Sequence, residues 1–370
     1  MMKKKNKVYV YAICKDEEKF AKRWMTSMKE ADGIFVLDTG SSDGTVQTLR
    51  DLGAVVHEEI ILPWRFDVAR NRSLAHVPQD GAICVCTDLD EVFESGWRRK
   101  LERAWNQMPG CRQMKYTYNW SLNLDGSPAV TFIYNKIHGR DDFAWEFPCH
   151  EWLRYKDGEE PVIAFEPGIV LNHYPDQEKS RSSYLTLLEM AVNEKPLDAR
   201  MTYYLGREYM FANNFARCQE TLKKYLELPT ATWHEERGAA MRWIAECCFR
   251  EEDYEAARKW YLQAIIEAGH MREPYVEYAN NLYNANQQDW PTIYWLTEQA
   301  LRISNKSETF INECDSWNFK PYDLAAMACY YLGMYEQAYQ HGKKALELLP
   351  GNDQLLANMN FYKQALKEDR

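Results

Sequence analysis

Long apolar runs are missing from this chain of 370 residues. The apolar stretch Val8–Cys14 follows three lysines, but it is far shorter than the roughly 20 apolar residues that a membrane span requires. Charged residues follow this stretch at once, which disfavours a signal peptide, so we interpret it as a buried first strand. We therefore expect a cytoplasmic protein with no transmembrane segment.

Basic clusters and paired cysteine motifs are also scarce. The net charge is -10, and no Lys/Arg run follows the N-terminal lysines, which disfavours a general nucleic-acid binder. The ten cysteines are irregularly spaced and contain no pair of CxxC motifs, which disfavours a structural zinc site. Several lie inside apolar runs, where we expect small, buried thiols in a reducing compartment. Since 46% of the residues are hydrophobic, the chain is expected to fold.

The two halves of the sequence have different periodicities. From residue 8 to about 175, short apolar segments alternate with amphipathic ones, which predicts a parallel sheet with helices on both faces. Beyond Cys111, two aromatic-rich segments predict an antiparallel extension of that sheet. The predicted strands are Val8–Cys14, Ile34–Leu37, Ala54–His57, Ala82–Thr87, Cys111–Trp120 and Ala129–His138. The predicted helices are Glu17 to about Ala31, Thr45–Leu52 and Phe66–Ala75.

From about Pro196 the pattern is helical and repetitive. Two sets of small residues share offsets of twelve and then seven positions: Ala245, Ala257 and Ala264, and Ala326, Ala338 and Ala345. Small residues are needed where two antiparallel helices cross closely, and this pattern resembles the tetratricopeptide repeat, with its period of about 34 residues. A third copy near Ala279 is irregular, because Trp290-Pro291 interrupts it. An ordinary helical bundle is the alternative. The predicted domains are residues 1–178, a connecting segment 179–195, and repeats 196–370.

Acidic residues follow two of the predicted strands. Asp38 ends the second strand in a glycine-containing turn, where we expect it to be free to accept hydrogen bonds from a ligand. Asp88 and Asp90 follow the most apolar strand, and their carboxylates suit Mg²⁺ or Mn²⁺. Arg70, in the intervening helix, has a guanidinium that suits a base or a phosphate. Ligands of open α/β sheets bind beyond the carboxyl ends of the strands, so these residues are expected to form one site.

Taken in order, these motifs resemble family 2 glycosyltransferases of the GT-A fold. The segments that carry the resemblance are Cys14–Glu18, Leu37–Thr45, Ala69–Leu74 and Asp88–Val92. The chain is most similar to the bacterial branch with C-terminal tetratricopeptide repeats, which includes the sublancin-type peptide S-glycosyltransferases. It departs from the family at Asp16, where Asn is usual, and we expect Asp16 to cap the following helix all the same.

The resemblance implies a role for individual residues. Those implied in binding the nucleotide-sugar are Ala12, Ile13, Glu17, Asp38, Arg70, Asp88 and Leu89. Asp90 is the implied principal ligand of Mn²⁺ or Mg²⁺, with Asp88 and His173 as further ligands. Glu151 is the implied general base for the acceptor, and His150 is an alternative to it.

The implied activity is metal-dependent, inverting transfer of a hexose from a nucleoside-diphosphate sugar such as a UDP-sugar. The acceptor would be a peptide, a protein or a glycan, and the helical repeats would bind it or form a homodimer. One alternative is a non-catalytic repeat scaffold that carries a degenerate transferase domain. A sugar nucleotidyltransferase is disfavoured, because Lys15–Glu18, directly after the first strand, contains no glycine.

Overall fold

The computed structural model describes residues 6–123, 125–176, 183–285, 287, 289–307 and 309–368, and the chain divides into two compact units, residues 1–191 and 192–370. The elements described up to residue 194 are β1 Val8–Cys14, α1 Glu18–Met28, β2 Gly33–Asp38, α2 Thr45–Asp51, β3 Val55–Glu58, α3 Phe66–Ala75, β4 Ile83–Cys86, β5 Glu91–Phe93, α4 Trp97–Gln107, β6 Gln113–Leu122, β7 Pro128–Gly139, β8 Phe143–Glu146, β9 Trp152–Tyr155, β10 Ile163–His173 and α5 Tyr184–Glu194. The later elements are α6 Ala199–Phe211, α7 Phe215–Glu227, α8 His234–Arg250, α9 Tyr254–Ala268, α10 Glu273–Asn284, α11 Trp290–Arg302, α12 Cys314–Trp317, α13 Lys320–Tyr331, α14 Tyr335–Leu348 and α15 Asp353–Glu368.

An eight-stranded mixed sheet forms the centre of the first unit, in the order β3-β2-β1-β4-β7-β6-β10-β5. Strands β3, β2, β1 and β4 are parallel to one another, whereas β7 runs antiparallel to both β4 and β6. A second sheet pairs β8 with β9. The predicted parallel strands and their antiparallel extension are therefore observed. The finer assignment to the GT-A fold stays a prediction.

Both faces of the large sheet are covered, and β1 shows this residue by residue. Val8 and Val10 share a core with side chains of α1 and α4, including the fully buried Trp24. Tyr9 and Tyr11 pack in a different cluster with residues of α3 and β8. Successive side chains of a strand point to opposite faces, so β1 is apolar at every position because both of its faces are buried.

The start of α1 differs from the expectation for Asp16. Glu17 precedes the helix without a capping side-chain hydrogen bond. Asp16 has a left-handed backbone, with φ of 52°, and its carboxylate accepts hydrogen bonds from the backbone N–H of Ser42 at 2.6 Å and from the Ser42 hydroxyl at 3.1 Å. The prediction that Asp16 caps α1 is wrong, because this side chain ties the loop after β1 to the turn after β2.

The second unit is built from helical hairpins. Helices α6 and α7, α8 and α9, α10 and α11, and α13 and α14 pack as consecutive pairs, and their short connections favour antiparallel partners. Ala245 and Ala326, predicted at close helix crossings, are fully buried. A Cβ added at Gly238 of α8 would lie 2.6 Å from the Cβ of Ala268 in α9, which shows how closely these helices approach. The predicted region of helical repeats is confirmed.

The second helix of three hairpins begins in the same way. Asn214, Asp253 and Asp289 each accept a hydrogen bond from the backbone N–H three residues later, at 3.2, 3.0 and 3.2 Å. Trp290 and Pro291 begin α11 rather than interrupt a helix, since proline is compatible with the first turn. The repeat pattern is irregular here because a long segment with the short α12 separates α11 from α13.

The ten cysteines carry no disulfide, and all except Cys314 are buried. Cys84 and Cys86 are fully buried in the sheet, as predicted for small apolar side chains. Among the helices of the described residues, none combines the length and the apolar composition needed to cross a membrane.

Candidate functional site

Three parallel strands end at one edge of the large sheet and carry the predicted motifs there. In the registers of β1 with its two neighbours, Cys14 lies opposite Asp38 and Tyr11 lies opposite Cys86. The segments that follow β1, β2 and β4 therefore emerge side by side, where α/β sheets bind ligands. Because β1 separates β2 from β4, the chain leaves those two strands about 10 Å apart, twice the strand spacing.

Asp38 is already engaged by its own turn. Its side chain is almost fully buried, and Oδ1 accepts hydrogen bonds from the backbone N–H groups of Gly40 and Ser41, both at 2.9 Å. The Ser41 hydroxyl and the Cys14 thiol donate to Oδ2. The expectation that this carboxylate is free for a ligand is therefore wrong, since the turn that follows β2 uses both oxygens.

The other predicted donor-binding residues lie along the same edge and are largely buried. The Ala12 carbonyl accepts a hydrogen bond from the Ser73 hydroxyl at 2.7 Å. The Ile13 side chain packs with apolar residues of β2 and α3, and Glu17 is only 5% exposed. Leu89 is fully buried in the main core, so only its backbone is placed to contact a ligand.

Arg70 forms a buried ion-pair network with two predicted site residues. Its Nη1 and Nη2 atoms lie 2.9 and 3.1 Å from the two carboxylate oxygens of Asp88, and its Nε donates to Glu151. The guanidinium also lies 5.2 Å from the ring centroid of Trp145. Burial alone would lower the pKa of Arg70, but the Asp88 and Glu151 carboxylates outweigh it and raise this pKa well above its usual value. Arg70 therefore stays charged and positions both acids.

Lys136 of β7 belongs to the same network and is not among the predicted site residues. Its side chain is buried, and Nζ lies 3.6 Å from Asp88 Oδ2 and 3.9 Å from Glu91 Oε1. The sequence carries no clear signal for it, because Asn135 and His138 make this part of the strand polar around Lys136. Burying an ammonium group is costly unless carboxylates pair with it, and here two do.

The pKa values of the two carboxylates around Lys136 are shifted in opposite directions. Burial tends to raise the pKa of Asp88, but Arg70 and Lys136 outweigh burial and hold this pKa far below its usual range. Burial raises the pKa of Glu91, and Lys136 only partly opposes this effect. Glu91 in turn accepts a hydrogen bond from the backbone N–H of Asp88 at 2.9 Å. The turn after β4 is thus held by the Glu91 carboxylate and by the ion pairs of Asp88 with Arg70 and Lys136.

Asp90 faces His173 across the end of the sheet. Asp90 Oδ2 lies 3.4 Å from His173 Nε2, and both side chains are partly accessible. His173 Nδ1 lies 2.9 Å from the carbonyl oxygen of Trp120, to which Nδ1–H donates, and this bond turns Nε2 towards Asp90. Burial tends to lower the pKa of His173, but the hydrogen bonds to Asp90 and to the Trp120 carbonyl outweigh burial and raise this pKa. Two adjacent ligands of an octahedral Mg²⁺ or Mn²⁺ lie about 3 Å apart, so this pair fits as part of a metal site.

Asp88 does not complete a three-ligand set with that pair. Its oxygens are occupied by Arg70 and Lys136. In the part of the chain that the structure describes, no group of three or more His, Cys, Asp or Glu side chains is arranged to hold a metal ion. A metal ion at this edge would therefore take two protein ligands, Asp90 and His173, and complete its coordination with water and substrate oxygens.

The predicted catalytic residues precede β9. Glu151 is mostly buried, and Arg70 forms ion pairs with both Glu151 and Asp88. Glu151 therefore lies at the site that follows β4. His150 has a left-handed backbone, with φ of 49°, and its ring lies 5.7 Å from that of Tyr184 in α5. The structure therefore brings Arg70, Asp88 and Glu151 together. Asp90 follows Asp88 by two positions, and His173 reaches it because β10 pairs with β5, where His173 lies opposite Glu91.

No protein-family model matches the chain, and the comparison with curated proteins gave no match. Among solved structures, the chain is similar to the C-terminal part of a TPR repeat-containing protein from Cytophaga hutchinsonii, with 15% identity, a TM-score of 0.41, and coverage of 51% of this chain and 67% of the other. It is also similar to YrrB, a TPR protein with an unusual peptide-binding site, with 16% identity, a TM-score of 0.40, and coverage of 50% and 84%. A third is the TPR domain of Arabidopsis OM64, with 18% identity, a TM-score of 0.30, and coverage of 36% and 98%.

Proposed function

We propose that residues 1–191 bind a nucleoside-diphosphate sugar at the carboxyl edge of the sheet and transfer its hexose, with inversion, to a peptide, protein or glycan acceptor. The observation that carries this proposal is the pair formed by Asp90 and His173, whose facing ligand atoms are 3.4 Å apart. The Arg70 network next to the pair supplies further charged groups. The order of motifs that resembles family 2 glycosyltransferases supports the same activity.

Asp90 and His173 would hold Mn²⁺ or Mg²⁺, which would neutralise the charge of the departing diphosphate. Glu151 would take the proton of the acceptor nucleophile, since an inverting transfer needs a single base. Arg70 would orient Glu151 through the hydrogen bond from Nε. The indole of Trp145 beside the guanidinium keeps this ion pair in a partly apolar environment, in which misplaced charges are costly.

The proposal predicts that Asp90→Asn abolishes metal-dependent chemistry on the donor. UDP-, GDP- and TDP-sugars would be screened by thermal shift with Mn²⁺, and hydrolysis of the stabilising donor would then be measured. We expect the variant to lower Mn²⁺-dependent hydrolysis roughly a hundredfold or more, because it removes a charged metal ligand.

Asp51→Asn, on the exposed end of α2, is the matched control and should retain the wild-type rate. Wild-type hydrolysis by Asp90→Asn would refute the assignment of the metal ligand. Failure of every sugar nucleotide to bind or react would refute the transferase proposal as a whole.

The second candidate is a repeat scaffold that acts by binding partners. The observation that favours it is the row of helical hairpins from α6 to α14. Side chains of α6, α8 and α10 line one open groove on these hairpins. Under this alternative, the groove would bind a partner while no sugar nucleotide is turned over.

A further inference from the structure

Two adjoining cavities open on the first helices of successive hairpins in the second unit. One, of about 430 Å³, is lined by α6, α8 and α10, and the other, of about 330 Å³, by α8, α10 and the chain from residue 313 to 320. Trp243, Glu277 and Asn280 line both cavities, so the two form one continuous groove. We call it the α8–α10 groove.

One part of the groove wall suits a polypeptide backbone. Asn280 and Asn284, one turn apart on α10, line the first cavity. Within the described residues, no hydrogen bond uses the side-chain amide of either one. An amide side chain both donates and accepts, so these two match the alternating N–H and C=O groups of an extended peptide. Trp243 and Phe249 add aromatic surface beside them.

The charges of the groove are not balanced. The carboxylates that line it are Glu246, Glu277, Glu313 and Asp315, and the cations are Arg242, Arg250 and Lys320. Three ion pairs use all three cations: Arg242 with Glu277, Arg250 with Glu246 at 2.7 Å, and Lys320 with Asp315 at 3.8 Å. Glu313 is left without an ion pair among the residues that the structure describes.

A buried acid adds to this excess of negative charge. Glu273 of α10 has no exposed surface, and its Oε1 accepts hydrogen bonds from the backbone N–H of Glu313 at 2.9 Å and from Trp317 Nε1 at 3.0 Å. These bonds hold the segment with Glu313 against α10. Burial is the main cause that raises the pKa of Glu277 to about 7; Arg242 opposes this shift, and Glu313, Glu273 and Glu246 add to it. A further positive charge would therefore be stabilised there.

We propose that the α8–α10 groove binds an extended polypeptide segment that carries arginine or lysine side chains. The Asn280 and Asn284 amides bind the backbone, and the cationic side chain reaches Glu277 and Glu313. Trp243 packs along the aliphatic part of that side chain, and aromatic rings also attract cations. An acidic segment would meet uncompensated carboxylates instead, which disfavours that partner.

The test uses fluorescein-labelled peptides built from glycine, serine and leucine that differ at two positions only. These positions hold arginine, the neutral isostere citrulline, or glutamate, and binding to the full chain is followed by fluorescence anisotropy. We expect the arginine peptide to bind about three- to tenfold more tightly than the citrulline peptide, the range expected for partly accessible charge pairs. The glutamate peptide should bind most weakly.

The variant Glu277→Gln with Glu313→Gln should remove the preference for arginine over citrulline. Glu255→Gln is the matched control, because this exposed acid of α9 pairs with Lys259 and does not line the groove. Asn280→Ala should lower the affinity for the arginine and citrulline peptides by a similar factor, because it removes a contact with the peptide backbone that both share. Circular dichroism melting of each variant checks that the helices are intact.

Four results would overturn the inference: equal affinity for arginine and citrulline, preference for glutamate, an unchanged preference in the double variant, or no binding of any peptide. Self-association in sedimentation without peptide binding would instead identify a second copy of this chain as the occupant. No sugar nucleotide is added in this assay, so its outcome does not depend on the proposed transfer reaction.

Discussion

His138 is the last member of a buried series of hydrogen bonds that connects β8, β1 and β7. Trp145 Nε1–H donates to the Tyr11 hydroxyl at 2.7 Å, and that hydroxyl lies 2.8 Å from His138 Nε2. His138 Nδ1 lies 2.9 Å from the Gly139 carbonyl, which can only accept, so Nδ1 carries the proton and Nε2 accepts from Tyr11. Every polar atom of this series has a partner while the imidazole is neutral.

We predict that His138 makes the first unit less stable in mild acid. Burial lowers the pKa of His138 from 6.5 to about 4, so the unfolded chain binds a proton that the folded one rejects. The contribution to the unfolding free energy is fully present above pH 6.5 and is lost as the pH falls towards 4, at a cost of up to about 3 kcal/mol. Hydrogen exchange of the β1 amides, corrected for intrinsic rates, measures it.

The comparison variant is His138→Gln, which should flatten this part of the pH dependence. His234→Gln, an exposed histidine of the second unit, should leave it unchanged. An identical slope between pH 4 and 6.5 in wild type and His138→Gln would contradict the assignment of a neutral buried imidazole.

Residue types at strand ends were predictable, but their pairing was not. The acidic and basic character of Arg70, Asp88 and Glu151 is visible in the sequence, yet Glu151 follows Arg70 by 81 positions. Only the folded sheet brings them into contact. Asp38 is different, because residues of its own turn donate hydrogen bonds to its carboxylate. A sequence motif does not distinguish an acid that closes a turn from one that is available to bind a ligand.

At the scale of the element, the close crossing of α8 and α9 requires glycine, which has no side chain, at position 238. Glycine within a helix usually costs about 0.5–1 kcal/mol relative to alanine. At Gly238, however, an added Cβ would lie 2.6 Å from the Cβ of Ala268, a contact that no rotamer change relieves. The two helices would have to separate.

We therefore predict that Gly238→Ala destabilises the second unit by about 1–3 kcal/mol despite the gain in helix propensity. Thermal or urea unfolding followed by circular dichroism at a helical wavelength gives the change. Gln263→Ala on the exposed side of α9 is the control and should change stability by less than about 0.5 kcal/mol. A Gly238→Ala protein as stable as wild type would show that this crossing tolerates separation.

Elements with strong periodicity were the most predictable. Val8–Cys14 and Phe66–Ala75 coincide with β1 and α3. The apolar run of β1 agrees with its burial on both faces, whereas α3 also buries the polar Asp67 and Arg70. Strands β5, β8, β9 and β10 were not predicted, because each is short or interrupted and gains its partners from distant parts of the chain. Trp290-Pro291 was misinterpreted because proline breaks a helix interior but begins a helix readily.

At the scale of the whole molecule, each proposed function belongs to a different compact unit. The Asp90 and His173 pair lies in residues 1–191, and the α8–α10 groove lies in residues 192–370. We predict that the two activities can be removed separately. Glu277→Gln with Glu313→Gln should leave Mn²⁺-dependent donor hydrolysis within about twofold of wild type, because it alters no side chain of the first unit.

The reciprocal measurement uses Asp90→Asn, which should bind the arginine peptide with wild-type affinity in the anisotropy assay. Loss of both activities in either variant would indicate that substitutions in one unit change the fold of the other. Calorimetry of each variant separates that outcome from a local effect on binding.

The ionised Asp88 has a consequence for recognition at the sheet edge. Protein groups hold it from two sides, with Arg70 at 2.9 Å and Lys136 at 3.6 Å. A turn anchored in this way has few alternative conformations to give up when a substrate arrives, so the entropic penalty of association is small. The same anchoring keeps the turn rigid, so it does not rearrange to fit a molecule whose charges do not match. Selectivity between substrates then comes from the unfavourable contacts of the wrong ones.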